Sequence, residues 1–144
     1  MILGINSYLV SDGKGQEAVT FYENALDAKV LALRTFGDMP ENPEHPLPAE
    51  AKDRVLHAHL KVGNTDLMLS DLFPGQPHQI GSQVTIAINI NNVEKSREVF
   101  EKLQEDGQII APLHETFWSP LYGQVTDKFG VTWHISTQDG SCSL

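Results

Sequence analysis

Three histidines pose the first chemical question in this sequence. His57 and His59 are separated by one residue, so on a strand both imidazoles point to the same side, and His134 lies in a second stretch of strand-like alternation. Brought together, three imidazoles would be a sufficient donor set for a catalytic divalent metal, which commonly takes three protein ligands. Alternation alone does not make them converge, and histidines on a mixed strand face ordinarily hydrogen-bond within a cavity or a subunit interface. We adopt that second reading, with no metal expected, and keep His57, His59 and His134 open as the metal set should one exist. His114 and Glu115 offer a general-base pair, but strand neighbours face opposite sides, so at most one enters a common cavity. His45 and His78 fall in loop-like stretches and are expected in solvent.

Other chemistry is weaker. Gly13-Lys14-Gly15-Gln16-Glu17-Ala18 matches a phosphate-cradling G-x-G-x-x-A turn. The strand-like stretch that follows ends without the acidic residue a ribose would need, so these glycines are read as turn chemistry. No stretch supports methyl transfer from S-adenosylmethionine. Cys142, the one cysteine, sits in a polar tail with no neighbour to activate its thiol, and is expected to be a bystander. Among the aromatic residues, Phe129 and Trp133 read as core, whereas Trp118 and Tyr122 read as walls of a pocket or an interface.

These side chains need elements to hold them. Residues 5–10 alternate as a strand, Asp12-Gly13 breaks the pattern, and Ala18, Phe21, Tyr22 and Ala25 then follow helical spacing. Strand patterns cover 28–36, 54–62 and 65–72, the last two joined at Gly63-Asn64, whose residues suit a hairpin. Between them, 37–53 holds Pro40, Pro43, Pro46 and Pro48 and is expected to be a long surface loop. The order then repeats as a strand at 84–90, a helix at 93–106 opened by Asn91 with Glu94 three residues on, and strands near 108–115, 122–128 and 131–137. A single shift of 79 pairs Asn6 with Thr85, Leu9 with Ile88, Phe21 with Phe100, Asp27 with Asp106, and Val30, Leu31 and Ala32 with Ile109, Ile110 and Ala111. The chain thus reads as two βαβββ units, about 1–73 and about 82–138, within one α+β domain spanning 1–144.

Strand parity sorts the faces. Ile5, Leu9, Leu56, Ala58, Leu60, Leu67 and Leu69 in the first unit, and Val84, Ile86, Ile88, Ile90, Val131, Trp133 and Ile135 in the second, are expected to pack on the helices. The opposite faces carry Asn6, Tyr8, His57, His59, Met68 and Ser70, then Thr85, Ala87, Asn89, Thr132, His134 and Ser136. Such a polar and aromatic mixture suits the lining of a cavity.

Composition narrows the partners. A formal charge of −9 over 144 residues repels phosphate backbones and anionic membranes, and no apolar run reaches the length of a membrane helix. The start MILGINSYLV lacks the features of a secretory signal, which points to the cytosol.

Tandem βαβββ units of this patterning resemble the vicinal oxygen chelate (glyoxalase/bleomycin resistance/dioxygenase) superfamily. Glu17 to Tyr22, His57 to Gly63, Leu67 to Asp71, and Gly123 to Trp133 with its Asp-x-Phe-Gly-x-x-Trp ending are similar to the PhnB-like branch. That branch commonly carries Trp-Gly where this chain has Trp118-Ser119. The resemblance implies cupped mixed sheets with helices outside, frequent homodimers, and four inward positions that hold a metal in metal-dependent relatives. Those positions fall on Asn6, Met68, Thr85 and His134, of which only His134 is a good ligand for a divalent ion. The implied function is therefore small-molecule binding of the bleomycin-resistance type. The alternative is a metal-dependent lyase, isomerase or dioxygenase with a rearranged histidine site. Asn6, Tyr8, His57, His59, Met68, Ser70, Thr85, Trp118, Tyr122 and His134 are the expected ligand contacts.

Overall fold

The computed structural model describes residues 1–138; Cys142 lies outside them. The chain divides into two compact units, Met1–Gln79 and Ile80–Leu144. In the first, strand β1 (Ser7–Ser11) leads to helix α1 (Gly15–Leu26) and strands β2 (Lys29–Thr35), β3 (Val55–Val62) and β4 (Thr65–Asp71). In the second, β5 (Ile86–Ile90) leads to α2 (Val93–Gln104), β6 (Gln108–His114), β7 (Tyr122–Thr126) and β8 (Thr132–Thr137). Each unit makes one four-stranded mixed sheet, ordered β1-β4-β3-β2 and β5-β8-β7-β6, in which only the first-listed pair runs parallel. This is the expected α+β duplication.

The repeat is legible in backbone detail. A shift of 79 carries Ser7–Ser11 onto Ile86–Ile90 and Lys29–Thr35 onto Gln108–His114. Asp27 and Asp106, paired by that shift, both adopt left-handed φ, 52° and 56°, at the end of their helices. Aspartate visits this region more readily than most residues because its short side chain bonds locally. Leu31 and Ile110, also paired, both sit within a register shift between neighbouring strands, and both are half exposed. Such bulges bend and twist a strand and turn a side chain off the regular face.

In the first unit Ala18, Val19, Tyr22, Ala25 and Leu26 bury one stripe of α1 while Ala58, Leu60, Leu67 and Leu69 bury one face of the sheet. In the second, Val99, Phe100 and Leu103 do the same for α2, with Val125, Trp133 and Ile135 on the strands. Each fully buried leucine contributes about 1.5–3 kcal/mol.

Several expectations need correction. Ile5 and Val84 precede their strands and are 92% and 82% exposed, so neither packs on a helix. Phe21 is half-buried, packing edge-on against Tyr22 at 5.4 Å, and Val19 and Leu26 complete the stripe instead. Leu56 and Phe129 are half-buried rather than core. The cap of α2 is Asn92, not Asn91: its side chain accepts from Lys95 N at 2.8 Å, satisfying a backbone donor that the helix leaves open.

The glycine motif before α1 is a turn. Gly13 has φ 86°, and Gly13 N and Gly15 N donate to Asp71 Oδ1 at 2.8 and 3.0 Å, so a side-chain carboxylate already occupies the helix start. A Cβ on Gly15 would lie 2.5 Å from Asp71 Oδ2, which explains why no larger residue stands there. The proline stretch, expected to be a long surface loop, is mostly exposed and is strapped at its base. Phe36 N donates to Arg54 O and Gly37 N to Lys52 O, each at 3.0 Å, and Ala51 is completely buried.

Candidate functional site

The second unit presents an open hollow of about 560 Å³ on the sheet face away from α2. Parity puts it there. On β7 and β8, Gly123, Val125, Trp133 and Ile135 are buried, while Tyr122, Gln124 and His134 alternate with them on the opposite face. The loop between β6 and β7 adds an aromatic wall. Phe117 and Trp118 rings meet edge-on at 4.8 Å, and Trp118 meets Tyr122 edge-on at 5.4 Å. Phe117 is 93% exposed, so this wall has apolar surface still facing water.

Ser119, where the branch commonly has glycine, anchors that loop. Its buried Oγ lies 2.9 Å from both Leu121 O and Thr137 O and accepts from Thr137 N at 3.0 Å. The hydroxyl thereby ties the aromatic loop to β8.

On the floor, His134 joins a chain of hydrogen bonds. Gln124 Nε2 donates to the Tyr122 oxygen at 3.1 Å, Tyr122 meets His134 Nδ1 at 2.5 Å, and His134 Nε2 meets Thr85 Oγ1 at 2.9 Å. Thr85 was expected on the strand but precedes β5, and its side chain still reaches the site. Ser136, two residues beyond His134 on the same face, lines the hollow and is 5% exposed. Its Oγ is, among the described residues, the buried side-chain oxygen or nitrogen with no hydrogen-bond partner. An unmade bond of this kind costs about 1–3 kcal/mol. Sequence parity had placed Ser136 and Asn89 on this face without singling them out. Gln124 was missed, although its i+2 spacing from Tyr122 is the signal that finds it.

The first unit carries its own polar face. Tyr8 OH lies 3.4 Å from His57 Nδ1, and Tyr8 and His59 both neighbour Met68 across β4. His59 Nε2 is 3.0 Å from Asp66 Oδ1, and the His59 hydrogen bond, with Lys61 beside it, holds the Asp66 carboxyl below its ordinary value of 3.8. Asn6 is exposed ahead of β1, and Ser70 is half-buried across from Val10. His114 and Glu115 are exposed, His114 Nδ1 lying 2.7 Å from Pro112 O. His45 and His78 are exposed, as expected.

The four strand positions do not fit a divalent ion. Asn6, Met68 and Thr85 are poor donors for one, and both ring nitrogens of His134 are already hydrogen-bonded. Among the described residues no group of three or more His, Cys, Asp or Glu side chains is placed to hold a metal.

A family model described as the Glyoxalase/Bleomycin resistance protein/Dioxygenase superfamily matches residues 4–135. The chain belongs to that superfamily. Protein YjdN of Escherichia coli (strain K12) is 31% identical over 138 residues, covering 92% of this chain and 93% of that relative. The crystal structure of PA1353 from Pseudomonas aeruginosa is 35% identical with a TM-score of 0.83, over 95% of this chain and 98% of that one. The PhnB protein from Bacillus cereus, 24% identical with a TM-score of 0.76 over 93% and 98% of the two chains, shares the superfamily fold. No helix among the described residues is long and apolar enough to cross a membrane.

Proposed function

We propose that this superfamily member is a small-molecule-binding protein that works without a metal at Asn6, Met68, Thr85 and His134. The observation that carries the reading is the engagement of both His134 ring nitrogens by Tyr122 and Thr85 at the floor of an aromatic-walled hollow. An imidazole so committed orients neighbouring hydroxyls; to ligate an ion it would have to break one of those bonds. Aromatic walls with a few fixed polar groups are what small organic ligands select. Thr85, Trp118, Tyr122 and His134 are the proposed contacts in the second unit. On the first unit's polar face the corresponding candidates are Asn6, Tyr8, His57, His59, Met68 and Ser70.

The two units are proposed to function as one domain in the cytosol, paired with a second copy of the chain. Half-exposed Leu31 and Ile110 on β2 and β6, each a terminal strand of its sheet, support the pairing.

Metal analysis of protein purified without chelator, followed by zinc, nickel and manganese titration, tests the absence of a metal. No stoichiometric uptake is expected. Stoichiometric uptake that disappears in His57→Ala or His134→Ala would overturn the metal-free reading in favour of the alternative, a metal-dependent lyase, isomerase or dioxygenase with a rearranged histidine site. Thermal-shift screening of metabolites tests binding, since a ligand at 100 times its dissociation constant adds about 2.7 kcal/mol. A flat screen overturns the binding role.

A further inference from the structure

Counting hydroxyl hydrogens in the second unit's hollow indicates what a ligand there must bring. With the His134 ring in either of its neutral tautomers, Tyr122, His134 and Thr85 together carry three polar hydrogens on the groups that link them, but only two hydrogen bonds join the three residues. With the imidazole proton on Nε2, Tyr122 donates to Nδ1 and the Thr85 hydrogen is left over. With the proton on Nδ1, Thr85 donates to Nε2 and the Tyr122 hydrogen is left over. Either tautomer therefore leaves one unspent O–H in the hollow. Gln124 does not change the count, because its amide donates to the Tyr122 oxygen.

Ser136 supplies a second unspent hydrogen. Its hydroxyl has no partner, and the residue pairs with Tyr122 across β7 and with Asn89 across β5, so it lies between those two side chains on the floor. Asn89 is exposed, and both it and Ser136 line the hollow. No lysine, arginine, aspartate or glutamate is among the described residues lining the hollow. A charged ligand group would lose its hydration there with no carboxylate, ammonium or guanidinium in the lining to pair with, and an anion would also meet a chain of formal charge −9.

Resting on the binding role proposed above, we infer that the hollow takes an uncharged, flat ligand bearing a carbonyl-type acceptor, an amide, ketone or lactam. The flat body lies against Trp118 and Phe117, and the acceptor oxygen receives the Ser136 hydrogen together with the one left over from the Tyr122–His134–Thr85 chain.

The test uses four probes on one ring system: 2-naphthamide, 2-naphthoate, 2-naphthylmethylamine and 2-methylnaphthalene. Each is titrated into the full chain while the Trp118 indole resonance is followed by NMR. 2-Naphthamide is expected to bind about tenfold more tightly than each of the other three, the discrimination one to two hydrogen bonds provide. In Ser136→Ala its advantage over 2-methylnaphthalene is expected to shrink severalfold, with the hydrocarbon's own affinity unchanged. Equal binding of amide and hydrocarbon, or tighter binding of the naphthoate or the amine, overturns the ligand class while leaving the binding role intact. An amide advantage undiminished in Ser136→Ala overturns the assignment to that hydroxyl. If none of the four moves the resonance, the ligand class fails, and a positive metabolite screen then shows that the binding role survives without it.

Discussion

The Ser136 hydroxyl is closed off from solvent without a partner. Deleting such a group removes a desolvation penalty and leaves a void of only one atom. Ser136→Ala is therefore expected to keep the wild-type stability or raise it by up to about 1 kcal/mol. Calorimetry showing a loss beyond that size would mean the hydroxyl has a partner after all. Tyr122→Phe should behave oppositely, because it strips Gln124 and His134 of a shared partner; a loss of about 1–2 kcal/mol is expected in urea denaturation. Parity in the sequence put Thr85, Tyr8, His57, His59 and His134 on polar faces, since alternation is a local property. It could not say that His59 meets Asp66 while His134 meets Tyr122, because those pairs depend on the register between strands, which local pattern does not encode.

At the scale of elements, the start of α1 rests on one carboxylate. Asp71 accepts from Gly13 N, Gly15 N and Val55 N, the last at 2.7 Å, and so joins the helix, the turn before it and the head of β3. Asp71→Ala orphans three backbone donors and should cost about 2–4 kcal/mol by urea denaturation. A loss under 1 kcal/mol would show that water replaces the carboxylate freely. The corresponding position of the second unit, Thr137 at the end of β8, uses neutral hydroxyls instead, meeting Ser96 Oγ at 2.7 Å across to α2. The order of strands and helices was readable because two periodicities and one repeat shift agreed. Strand starts were not: Ile5 and Val84 continue the alternation, but their residues precede the first ladder partners, Ser7 with Leu67 and Ile86 with Trp133. Likewise Asn91 and Asn92 are equal in type, and only the backbone turn decides which one caps.

For the molecule as a whole, the duplicated plan and the acidic balance were plain from sequence, whereas the outward turn of Leu31 and Ile110 needed coordinates. The bulges that turn Leu31 and Ile110 outward depend on strand pairing and leave no mark in composition. Light scattering on the purified chain is expected to give twice the monomer mass, and Leu31→Glu with Ile110→Glu to return it to one; a monomeric wild type contradicts pairing. The strapped base of the proline loop has a separate consequence for handling the protein. Because Gly37 and Lys52 are joined by the backbone and Ala51 is plugged into the interior, the span from Pro40 to Pro48 is a closed bight whose ends are held without it. A single protease cut there, or a spliced-in epitope, should leave the two flanking strands paired, with the nicked halves co-eluting under native conditions.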